Sequence, residues 1–160
     1  MKRTWKTVGL GTLAALIVIQ FVRPGRTNPP FDSALSLDSS GTVPPAVLAK
    51  LRASCYDCHS NETRWPWYSA ITPVNFLIAS DVNGGRRHMN FSEWRLMKPE
   101  RMQSRLGNIS DEVSSREMPL PIYLLMHRDA HLSDADVKLI SDWADARQDS
   151  MAVLTGAGGN

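Results

Sequence analysis

The sequence of 160 residues contains no stretch that alternates apolar and polar residues as a strand does, and no internal repeat. Without strands there is no βαβ pattern, the setting in which a C-x-x-C pair acts as a redox motif. An excess of one charge is also missing, with 18 basic against 16 acidic residues and a formal net charge of +2. With residues 1–22 set aside the count is 15 to 16, and so balanced a domain makes no electrostatic case for binding nucleic acid. The apolar run from Thr7 to Val22 has 16 residues, short of the ~20 that usually span a bilayer. Cysteine is scarce: both copies fall within one five-residue stretch. The length predicts one domain. A hydrophobic content of 42% with ten prolines suits a compact, loop-rich globule rather than a disordered chain.

Lys2, Arg3 and Lys6 precede the apolar run and Arg23 follows it. Basic before apolar is the pattern of an export signal or a membrane anchor. Trp5, Lys6 and Arg23 can extend the run by lying at the interfaces. No A-x-A cleavage site follows, which favours an uncleaved signal-anchor over residues 1–23, positive end inside and domain on the far side. Residues 24–43, rich in Pro, Ser, Gly and Asn, read as a linker; the other reading is a loop packed on the domain surface.

The two cysteines sit in Cys55-Tyr56-Asp57-Cys58-His59, the C-x-x-C-H pattern of c-type haem attachment. Thiols one helical turn apart can each add to one vinyl group of the same porphyrin, and the next imidazole can bind iron. Two rivals stay open. A structural disulfide leaves His59 unexplained. A zinc site could draw on His127 and His131, but the spacer is far longer than the ~12–15 residues of a zinc finger.

Around this motif the pattern predicts helices. Pro44-Pro45 opens one, with Val47, Leu48, Leu51 and Cys55 at helical spacing. Asn61 to Ser69, with Trp65, Trp67 and Tyr68 broken by Pro66, is expected to be a loop, its rings covering a porphyrin edge or joining the core. Thr72-Pro73 predicts a helix start, and Asn83-Gly84-Gly85 its end. Arg86-Arg87-His88 forms a basic cluster. From Pro99, Met102, Leu106, Ile109 and Val113 make one apolar face. Met118 stands before Pro119, which holds it extended. Ser133 caps a last helix, expected to end near Gln148, with Val137, Ile140 and Ala144 in one stripe and Leu139, Trp143 and Ala146 in the next. Thus residues 44–148 form the domain, and 149–160 read as a flexible tail.

The ordered set CYDCHSNETRWPWYSAITPV, GR then NFSEW, MPLPIY, and LSDADVKLISDW resembles the small haem-binding domain family of bacterial membrane-associated c-type haem proteins, over roughly residues 45–145. More broadly it is similar to the class I cytochrome c fold. The resemblance implies an all-α domain around one covalent haem c. It implies Cys55 and Cys58 as attachment points, His59 as proximal ligand and Met118 as distal ligand. It also implies packing of the first and last domain helices over Leu51 and Trp143. Such attachment happens outside the bacterial cytoplasm, which places the domain on the periplasmic side of the inner membrane.

Iron's other face has six candidate ligands: Met118, Met89, Met126, His88, His127 and His131. Met118 has the best setting, late in the chain and in a proline-bounded loop; His127 is the runner-up. The expected function is a membrane-tethered electron carrier rather than an enzyme, with redox partners that the sequence does not name. A haem-based ligand sensor, a peroxidase-like enzyme and a supporting subunit of a membrane complex are the alternatives.

Overall fold

The computed structural model describes residues 2–155. Among them there is no strand, and the fold is all-helical. Seven α-helices follow in order: α1 (Lys2–Ile19), α2 (Pro45–Ser54), α3 (Tyr56–His59), α4 (Val74–His88), α5 (Pro99–Ser114), α6 (Pro121–Leu124) and α7 (Asp134–Thr155). Short 3-10 turns fill several of the connections.

Helices α5 and α7 form the frame and run antiparallel. Ser114 Oγ lies 2.9 Å from Ser141 Oγ at one end, and Gly107 faces Gln148 toward the other. The expected α5 face is the buried one: Leu106, Ile109 and Val113 are in the core and Met102 is half-buried. Full burial of each such side chain is worth ~1.5–3 kcal/mol over exposure. On α7 the stripe shifts from expectation. Ile140, Trp143, Ala144 and Met151 are buried, whereas Leu139 and Ala146 face solvent. The spacing i, i+3, i+4 and i+11 is one helix face, set by contact with α5 rather than by hydropathy alone.

The expected end of α7 near Gln148 is also corrected. The helix continues to Thr155 because Met151 packs into the core. Residues 149–155 are therefore not a loose tail, and 156–160 lie outside the described residues. Leu51 of α2 is fully buried and belongs to the same core as Trp143, as expected. The Trp143 indole donates to Thr42 O at 3.0 Å, so its polar edge is satisfied.

Residues 24–43, expected as a linker, are held against the domain. Arg26 donates to Ser69 Oγ, Asn28 Nδ2 donates to Thr63 O, and the Trp65 indole donates to Asn28 Oδ1. Leu37 is fully buried, and its N–H donates to Phe91 O at 2.8 Å. The Pro- and Ser-rich composition encodes a chain that caps with side chains and backbone rather than a free tether. Further on, Gly41 has φ 69°, a left-handed position at the end of a 3-10 turn that glycine occupies without steric cost.

The residues expected as a signal-anchor form helix α1, and no membrane span is found in it. Its apolar side chains from Val8 to Ile19 are exposed. Among the described residues no helix is long and apolar enough to cross a membrane. The end of this segment is tied down, because the Gln20 side chain both donates to Thr72 O and accepts from Thr72 N.

Candidate functional site

The sequence motif folds as a break followed by one helical turn. The Cys55 N–H still completes α2 by donating to Leu51 O at 2.8 Å, then the backbone leaves helical geometry at φ −124°. The N–H groups of Cys58 and His59 both reach Cys55 O, at 3.2 and 2.9 Å. Cys55 and Cys58 thus lie one turn apart, both free thiols. Asp57, buried between them together with Tyr56, accepts from the Arg64 N–H and guanidinium and from the Tyr123 hydroxyl at 2.9 Å. The motif is thereby stitched both to the loop that follows it and to α6.

Packing against α4 fixes the other side. A Cβ at Gly85 would stand 2.6 Å from Cys58 O. Only glycine lets the two backbones approach this closely. This corrects the expectation for Gly84-Gly85: they do not end α4, which runs through them to His88. Thr72 likewise does not cap α4 with its side chain; its hydroxyl accepts from Asn75 Nδ2 and reaches toward Val22 O.

These elements enclose a cavity of about 520 Å³, within the ~300–1,000 Å³ usual for ligand and cofactor sites. Cys55, Cys58, His59 and Met118 all line it. Met118 arrives there from the bend between α5 and α6, far along the chain from the motif. Of the other candidate iron ligands, His88 and Met89 also line the cavity, while Met126, His127 and His131 lie outside it. His127, the expected runner-up, is engaged elsewhere. Its ring stacks on Tyr123 at 3.8 Å between centroids, and its Nδ1–H donates to Tyr123 O at 3.0 Å.

The electrostatics separate the rival chemistries. Burial pushes the thiols of Cys55 and Cys58 up to about 12, with each raised further by nearby negative charge. Redox catalysis by C-x-x-C depends on a lowered thiol pKa, so this environment runs against it. Burial lowers the His59 pKa and keeps the ring neutral. Its Nδ1–H donates to Met89 O at 3.2 Å, which leaves Nε2 as the unprotonated nitrogen with its lone pair free. For zinc, among the described residues no group of three or more His, Cys, Asp or Glu side chains could hold a metal ion.

The residues present fit a haem. Two thiols and a tautomer-fixed imidazole share one wall sector, a thioether reaches the same space, and Leu51, Phe91, Ile109 and Val113 supply apolar lining. Haem iron takes His and Met as axial ligands in cytochromes c. Sequence patterning assigned no site role to Tyr123, Arg105 or Asn108, all of which line this cavity. The signal for the last two was present: Arg105, Asn108 and Glu112 recur at helical spacing with Ile109, on a face noted only for its apolar members.

No curated protein and no solved structure matches the chain. A family model described as a haem-binding domain matches residues 14–146, which is most of the chain and takes in every residue of the cavity, and the protein therefore belongs to the haem-binding domain family.

Proposed function

We propose that the protein is a single-haem c-type electron carrier of class I cytochrome c-like build, tethered to the periplasmic face of the bacterial inner membrane. The observation that carries this reading is the meeting of Cys55, Cys58, His59 and Met118 in one cavity while His127 and His131 lie outside it. When bound, haem supplies a one-electron couple between ferrous and ferric iron. Cys55 and Cys58 would fix it covalently to the α2–α3 corner. His59 Nε2 would hold one face of the iron and the Met118 thioether the other. Methionine opposite histidine raises the reduction potential relative to paired histidines.

The apolar part of the lining would hold water away from the iron, and no step asks for an acid, a base or a substrate. A site closed by a thioether favours transfer over activation. The tether rests on α1, whose exposed apolar side chains follow basic residues near its start. A helix of its 18 residues is ~27 Å long, a length suited to a shallow or assisted insertion rather than an unaided crossing. Redox partners are other proteins of the same compartment.

The test is expression in a host that exports and matures c-type haem. The denatured polypeptide should stay coloured and carry the mass of one haem. The weak ferric band near the red end of the visible spectrum should vanish in Met118→Ala. A colourless denatured chain overturns the haem c assignment, and an unchanged band discards Met118. Rapid binding of carbon monoxide to the reduced protein would instead favour a ligand sensor.

A further inference from the structure

The cavity has one wall that the iron ligands and thiols do not use. Arg87 and His88 at the end of α4 line it, and so do Arg105 and Asn108 on α5. The Arg105 guanidinium lies 3.2 Å from His88 Nε2, and with the Asn108 amide turned so that both its ends are satisfied, Asn108 Oδ1 accepts from Arg105 Nη1 at 2.9 Å and its Nδ2 donates to Ser104 O at 3.2 Å. Arg105 Nε is buried and has no hydrogen-bond partner in the structure. A buried guanidinium N–H without an acceptor is left uncompensated, and because Arg105 lines the cavity, an anion held there would offset its charge.

Neighbouring arginines are already committed. Arg64 pairs with Asp57, and Arg86 donates to Ser60 O, Thr63 Oγ1 and Asn28 Oδ1. Arg52 pairs with Asp38 and Glu62, and Arg116 with Asp134. Among the described residues no ion pair involves Arg87 or Arg105. The carboxylates that line the cavity are Asp57, Asp81 and Glu112. Asp57 is neutralised by Arg64. Asp81 lies six residues from Arg87 and seven from His88 on α4, and Glu112 seven from Arg105 on α5, ~9–10 Å along each helix at 1.5 Å per residue, although Glu112 is only four residues from Asn108. Among the described residues neither Asp81 nor Glu112 forms an ion pair with Arg87 or Arg105.

We infer that Arg105, with His88, Asn108 and Arg87 beside it, forms a carboxylate-binding corner that takes the propionates of the haem and so sets which way the ring lies in the cavity. This rests on the haem reading above. A guanidinium fork matches a carboxylate in two parallel hydrogen bonds. The corner anchors the polar edge of the cofactor while Cys55 and Cys58 anchor another edge. It also places positive charge near the iron, which favours the ferrous state.

The experiment uses the haem-loaded full chain. Arg105→Gln should raise the ferric-to-ferrous ratio at fixed poise by about threefold or more, ~28 mV for one electron at ~59 mV per tenfold. It should also shift the propionate-bending band in the resonance Raman spectrum. Arg101→Gln, the same charge change on the exposed start of α5, should leave that band in place and move the ratio less than twofold. Arg105→Lys should keep the ratio within twofold and still shift the band, because a point charge replaces a planar fork. An unmoved band in both Arg105 variants overturns the inference with the haem reading intact. If Arg105→Gln fails to accumulate, the Lys variant alone decides by its band. A wild-type chain that denatures colourless sinks the haem reading, and this inference with it.

Discussion

Gly85→Ala and Gly107→Ala should change stability in opposite directions, although the added methyl meets its first neighbour at 2.6 Å in both. At Gly85 that neighbour is Cys58 O, followed by the Cys58 carbonyl carbon at 3.0 Å and Cβ at 3.3 Å. Backbone cannot swing aside, so α4 and the α3 turn must separate by several tenths of an ångström. Overpacking of this kind costs ~1–3 kcal/mol, and a contact against main chain belongs at the upper end. Replacing glycine by alanine inside a helix returns ~1 kcal/mol. The net loss at Gly85 is about 2 kcal/mol. At Gly107 the three nearest atoms all belong to the end of the Gln148 side chain. That amide is half-buried and can rotate away, leaving a gain of up to ~1 kcal/mol from helix propensity. Urea unfolding of the haem-loaded protein, followed by far-ultraviolet circular dichroism, measures both from the shift in midpoint at constant slope. A Gly85→Ala protein as stable as Gly107→Ala would refute the close-approach account of α4.

Two further outcomes follow from the same geometry. Tyr123→Phe removes the hydroxyl that reaches Asp57 across the site, and should cost ~1.5–3 kcal/mol, the scale of a hydrogen bond to a charged group; a thermal melt that moves by less than a degree would show that Arg64 alone satisfies Asp57. The Lys50 ammonium, and after it the Ser133 hydroxyl and N–H, hold the Asp136 carboxyl down at about 2. Because the folded value lies below the unfolded one, this stabilisation is complete above ~4 and is lost as pH falls toward 2; Asp136→Asn should flatten the fall in melting temperature over that window.

The sequence alone determined the chemistry of the motif, because C-x-x-C-H is local: one helical turn sets the spacing of thiols and imidazole whatever surrounds it. It also determined the apolar face of α5 and the start of α7 at Ser133, where the capping hydroxyl accepts from the Asp136 N–H and Asp136 accepts in return. Periodicity and capping act over a few residues and leave a direct trace.

Whatever depends on distant neighbours was settled by packing in three dimensions. Gly84-Gly85 has the local chemistry of a helix end, yet Cys58 needs a glycine inside the helix. Residues 24–43 have the composition of a linker, yet Asn28 and Leu37 find partners on the domain. The end of α7 depended on whether Met151 had a core to enter. Of six candidate iron ligands, the fold brought Met118, Met89 and His88 to the cavity and left His127 stacked on Tyr123 outside it. Arg105 shows the same division: its place on the α5 face is written in the helical repeat, but its unmet N–H exists only because α4 and the cavity close around it.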